Sequence, residues 1–118
     1  MNRVAVTGMG IISPLGNDVA TFFDALITGQ CGIGSLTRFD VSDYKVKIAA
    51  EVKDFDPTQH GMDVAQARRM DLFSQYALAA AHQAMEQSKL QGQVDPVRFG
   101  VNISSGIGGI ETFFKESE

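Results

Sequence analysis

The chain has 118 residues, 44% of them hydrophobic and 20% charged, a balance that fits one globular domain and excludes fibres and disordered tails. With 10 basic and 14 acidic residues the net charge is −4. That excludes a global field for capturing nucleic acid, so an acidic partner must meet a local basic patch. No uncharged apolar run reaches the roughly 18 to 20 residues of a membrane span, and the N-terminus lacks the order of a secretion signal, so the cytoplasm is the expected compartment.

The chain opens with the β-branched run Val4 to Val6 leading into Gly8-Met9-Gly10, the way a nucleotide-binding strand and turn begin. Asn17 is the expected N-cap of a helix over Asp18 to Thr28, because Val19, Phe22, Phe23, Leu26 and Ile27 recur at three- and four-residue spacing and Gly29 supplies a stop. Glycines, Cys31 and Ser35 break any period between Gly29 and Tyr44, which reads as loop. A short strand is expected around Ile48 to Val52, and Asp56-Pro57 through Gly61 reads as a turn.

From Asp63 to Gln87 there is neither proline nor glycine, and Met70, Phe73, Tyr76, Ala77, Ala80, Ala81, Ala84 and Met85 keep helical spacing. One long, largely interior helix is predicted. The alanines of its second half allow close approach to a sheet or another helix. Asp95-Pro96 then precedes RFGVNIS, Arg98 to Ser104, a predicted buried strand. Ser105-Gly106-Ile107-Gly108-Gly109 forms a second glycine-rich loop, and a helix starts near Ile110. Within TFFKESE, Phe113 and Phe114 need a partner surface, and no glycine or proline ends the helix. A truncated chain is the expectation.

This alternation of strand and helix predicts an α/β layered fold. The first glycine pattern does not complete a dinucleotide fingerprint, which requires glycine or alanine at position 13 and a helix starting on the second glycine. Ser13 and Pro14 stand there, the helical period begins only near Asp18, and no convincing acidic residue ends a strand some 20 positions on. Neither glycine loop is followed by a phosphate-binding lysine. A nucleotide-binding α/β domain stays open as an alternative, as does a short non-catalytic interaction partner.

Several segments in fixed order carry a resemblance: VAVTGMGIISPLGN, GIGSLTRFD, VKDFDP, RRMDLFSQYA and SSGIGG. Together they resemble the N-terminal part of the β-ketoacyl-acyl carrier protein synthases, type II, over all 118 residues. Polyketide ketosynthases share parts of the pattern, while SGIGG leans toward type II. The resemblance implies a thiolase-like fold of two similar α/β halves in a homodimer, with residues 1–118 the first portion of the first half and no internal domain boundary. It implies decarboxylative Claisen condensation in fatty-acid synthesis, with acyl carrier protein as partner and no cofactor or metal. A cysteine at a helix N-terminus, where its thiol pKa is lowered, would take the acyl group, and two histidines would assist decarboxylation.

That nucleophile belongs to a Thr-Ala-Cys-type segment absent from this sequence, so no catalytic residue is assigned and the chain alone is expected to be inactive. Cys31, in GQCGIG after a helix C-terminus, has the wrong setting for a thiolate and reads as a loop residue. His60 and His82 read as surface or helix-side histidines. The resemblance implies carrier-protein docking at Arg68 and Arg69, at the start of the long helix's ordered stripe. A third basic position that relatives carry one turn earlier is Ala65 here, which weakens the patch. It also implies that Ile107, with Gly106 and Gly108 around it, forms a wall of the acyl-chain pocket. A plug in a tight turn is the plainer reading of Ile107.

Overall fold

A computed structural model describes residues 3 to 117, and these fall into two packing units. One unit contains Ile11–Phe55; the other joins the segment ending at Gly10 to the chain from Asp56 onward.

In the first unit, α1 runs Val19–Ile27. Its N-cap is Asp18, one residue later than the sequence reading placed it, with Oδ1 accepting from Thr21 N at 2.9 Å and Oδ2 accepting the Thr21 hydroxyl at 2.7 Å. Asn17 is drawn elsewhere, its side-chain amide donating to the Lys53 carbonyl at 2.8 Å. Asn and Asp are about equally good caps, so two in succession leave the choice to tertiary partners. Gly29 ends the helix as expected, at φ +71, where L-residues with a Cβ are strained. The Gln30 and Gly29 amides donate to the Ala25 and Leu26 carbonyls at 2.9 and 3.1 Å, a Schellman ending.

Two short strands follow, β1 Ile33–Ser35 and β2 Ile48–Ala50, paired antiparallel with Ile33 opposite Ala50 and Ser35 opposite Ile48. β2 falls within the expected strand. β1 lies in a stretch read as loop, because three residues flanked by glycine carry no alternation to detect. The Glu51 carboxylate accepts from Thr37 N and its hydroxyl, at 3.2 and 2.8 Å. Those bonds hold the Glu51 carboxyl below its ordinary value.

In the second unit the Asp56 turn is a single 3-10 turn, Pro57–His60, capped by Asp56 and closed by Gly61 at φ +76. The Thr58 hydroxyl and amide donate to the Asp56 carboxylate and lower its pKa. The long helix predicted over 63–87 is two helices, α2 Val64–Ala67 and α3 Leu72–Ser88, separated by residues 68–71. No glycine or proline marks the break. The second helix has its own cap-type residue, Asp71, whose carbonyl accepts from Ser74 and Gln75 N. The Gln75 side-chain amide donates to the Ala67 and Met70 carbonyls at 2.9 and 3.0 Å, satisfying acceptors the break exposes. Asp63 caps α2, accepting from Gln66 N at 2.6 Å.

Gly8 and Gly10 lie directly against α3. A Cβ on Gly8 would strike the Ala84 carbonyl oxygen and come within 3.0 Å of Ser88 Cβ; one on Gly10 would strike the Ala80 carbonyl oxygen. Met9 N donates to Gln87 Oε1 at 2.6 Å between them. The alanine stripe therefore serves close approach, as its composition predicts, and the glycines serve that packing. The helix is less interior than expected: most positions of the stripe are half-buried, and its fully buried residue, Ala79, falls outside the positions read as the stripe. Replacing Gly10 with alanine must push α3 aside. We expect about 1–3 kcal/mol of destabilisation, read as a lowered Tm of the complete protein carrying this sequence.

Two predicted strands, Val4 to Val6 and Arg98 to Ser104, have no ladder among the described residues. Arg98 instead closes a 3-10 turn, Pro96–Arg98. Val4, Val101 and Ile103 are exposed, so the second segment is not buried as predicted. A β-strand is defined by its neighbours, and an apolar run expresses strand structure only where a partner edge accepts its hydrogen bonds. Helix α4, Ile110–Ser117, begins where the sequence places it, with Phe113 N donating to the Gly109 carbonyl at 3.0 Å. Phe113 and Phe114 are exposed, in edge-to-face contact with ring centroids 6.3 Å apart.

Candidate functional site

The break between α2 and α3 determines where the two arginines stand. Arg68 is the C-cap of α2 and Arg69 follows it, so they occupy a kink between helices and not the start of a continuous one. Both side chains are exposed, and neither forms an ion pair among the described residues.

The same kink forms one side of a cleft of about 390 Å³. Arg68, Asp71 and Phe73 line one side; Gly108, Thr112 and Lys115 line the other. The structure thus brings two sequence-predicted groups to one place, Arg68 from the docking pair and Gly108 from the glycine loop. Arg69, Gly106 and Ile107 do not line the cleft. Ile107 is 77% exposed and Gly106 stands in open space, so among the described residues the isoleucine is presented and not plugged into a core.

Local chemistry shapes this loop. Gly108 N donates to the Ser105 hydroxyl oxygen at 3.0 Å, closing the turn over Gly106 and Ile107. Gly108 takes φ +76, which explains a glycine there, and its position lies against the Phe73 ring. Gly109 approaches Asp71 so closely that a Cβ would lie 2.9 Å from the carboxyl carbon. The Asp71 carboxylate also accepts the Thr112 hydroxyl. At the cleft's far side, the Lys115 ammonium donates to Glu111 at 2.8 Å, which raises the lysine pKa.

Sequence reasoning missed Asp71 and Thr112. The signal available was a cap-type aspartate immediately before the phenylalanine-bearing half of the helix, and the glycine at 109 that leaves room for it.

His60 and His82, read as ordinary surface histidines, line a second, more apolar cleft of about 410 Å³ with Met62, Leu78 and Met85. Gly61 lies over the His82 imidazole, where a Cβ would come within 2.9 Å of Nε2 and displace the ring. His82 Nδ1 lies 3.6 Å from Glu86 Oε2 on a solvent-exposed face, an arrangement of little energetic weight. Cys31 is exposed after α1, in keeping with a loop role. Among the described residues no three histidine, cysteine or acidic side chains gather into a metal site, and no helix is long and apolar enough to cross a membrane.

Comparison of the whole fold gives its class. A solved structure described as the ishigamide ketosynthase/chain length factor superposes with a TM-score of 0.73 at 26% identity, covering 95% of this chain and 28% of that one. The architecture is therefore the thiolase-like one of ketosynthases, as the resemblance implies, within the α/β class that the alternating elements predict. The chain belongs to the family described as beta-ketoacyl synthase, N-terminal domain, whose match spans residues 1–118. Among curated relatives it is similar to proteins named 3-oxoacyl-[acyl-carrier-protein] synthase 2. Identity is 46% over 109 residues to the one from Coxiella burnetii and 46% over 112 residues to the one from Staphylococcus aureus. To that of Vibrio cholerae it is 47% over 110 residues. These alignments cover 92% to 94% of this chain and 26% to 27% of the relatives, so the chain spans about a quarter of their length.

Proposed function

We propose that the protein containing this sequence is a 3-oxoacyl-acyl carrier protein synthase that elongates acyl chains in fatty-acid synthesis. The observation that carries this reading is 46% to 47% identity, over more than nine-tenths of the chain, to proteins bearing that name. Residues 1–118 make up the first portion of its first thiolase-like half, in a homodimer working without a cofactor in the cytoplasm.

In this reading a cysteine outside residues 1–118 takes the acyl group from its carrier thioester. Malonyl-carrier protein then loses carbon dioxide, and the electron pair released forms an enolate. Its carbon attacks the enzyme-bound acyl carbonyl and expels the cysteine thiolate, leaving a 3-oxoacyl chain two carbons longer on the carrier protein. This chain contributes scaffold, docking charge at Arg68 and Arg69, and a pocket wall at Ile107 held between Gly106 and Gly108.

The test is turnover. The complete synthase should release carbon dioxide from malonyl-carrier protein and form 3-oxoacyl product when an acyl primer is present, and residues 1–118 alone should form none. A complete protein that binds carrier protein yet makes no such product overturns the assignment.

A further inference from the structure

Asp71 occupies the N-cap position of α3 but makes no side-chain cap bond to that helix. An aspartate at that position ordinarily accepts from the amides of the helix's first turn, and this one is engaged elsewhere. Here it accepts the hydroxyl of Thr112, 41 residues away in sequence and in the first turn of α4, and it lies under Gly109 at the end of the glycine loop. Of the other charged groups lining the cleft, Lys115 and Glu111 pair with each other, and Arg68 forms no ion pair with the Asp71 carboxylate among the described residues. Gln75 also holds the kink, through the Ala67 and Met70 carbonyls. The kink bearing Arg68 and Arg69 and the loop presenting Ile107 are thus joined by one carboxylate.

We infer that Asp71 and Thr112 are positioning residues, whose hydrogen bond fixes the Ser105-to-Gly109 loop and so sharpens acyl-chain selection. This rests on the reading of Ile107 as a pocket wall. Neither residue touches substrate; each acts through the loop. Removing the bond lets the loop move, and a wall that moves discriminates less between primer lengths.

The test uses the complete synthase and the ratio of kcat/KM for its preferred primer to that for a primer four carbons longer. Thr112→Val, nearly the same shape without the hydroxyl, should lower that ratio about tenfold, the scale of losing a hydrogen bond to a charged group. Thr112→Ser, which keeps the hydroxyl, should restore it. Asp71→Ala should act like Thr112→Val, and the double variant should be no worse than either single one, since both remove the same interaction. Equal ratios in the Thr112→Val and wild-type enzymes, or equal losses with valine and serine, overturn the inference; a lower Tm with an unchanged ratio does so too. Ile107→Phe separates the two readings. If it shifts the ratio while Thr112→Val does not, the Asp71 link fails and the pocket wall stands; if neither shifts it, both fail.

Discussion

Reversing both charges in Arg68→Glu with Arg69→Glu should raise the KM for carrier-protein substrates of the complete synthase about 10- to 100-fold, at low salt, with kcat little changed. The scale follows from exposed ion pairs worth about 0.2–1 kcal/mol each, with reversal both removing attraction and adding repulsion at two positions. Both arginines are exposed on the kink and neither is neutralised by a carboxylate among the described residues. Their field is therefore available to an approaching acidic protein. Two signatures separate docking from damage. Wild-type KM should climb with ionic strength as screening sets in over about 10 Å, while the doubly reversed enzyme should gain from added salt. Acyl and malonyl thioesters of free pantetheine, which lack the acidic protein, should be used equally by both enzymes. An unchanged carrier KM, or an equal loss with the small thioesters, removes the arginines from the docking surface.

What the sequence discloses and what it withholds have different physical origins. Helix α1, the Gly29 stop and the start of α4 are local decisions, made by apolar spacing and by glycine's access to positive φ, and they can be read from neighbouring residues. The break at 68–71 is not local. It is stabilised by Gln75 reaching back to two carbonyls and by Asp71 turning to α4, contacts that no periodicity encodes. The shift of the α1 cap from Asn17 to Asp18 has the same cause, a distant partner at Lys53. The strands at Val4 and Val101 fail for a third reason: their residues have strand character, but ladder formation depends on a neighbouring edge. The glycines at 8 and 10 look like a phosphate turn in one dimension and prove to be the clearance that α3 requires in three. For the site, Arg68 and the glycine loop were legible as separate motifs. Their meeting at one cleft was not, because it depends on the unforeseen kink.

Ile107→Phe should cut kcat/KM for long primers about 10- to 100-fold in the complete synthase while short primers lose no more than about threefold, the range expected where overpacking costs about 1–3 kcal/mol. The backbone argues for so selective an effect. Ser105 closes the turn through Gly108 N, Gly108 holds φ +76, and Gly109 is seated on Asp71, so the loop has little freedom to retreat from a larger side chain. The isoleucine itself is 77% exposed and makes no core contact that phenylalanine would disrupt, so stability should hold while the space in front of the loop shrinks. If Ile107 forms the proposed pocket wall, long primers would need that space, whereas short ones would end before reaching it. Mass analysis of product chain lengths, run beside Tm, reads both quantities. A uniform loss across all primers would mark Ile107 as a packing residue, and an unaltered profile would place the acyl chain elsewhere.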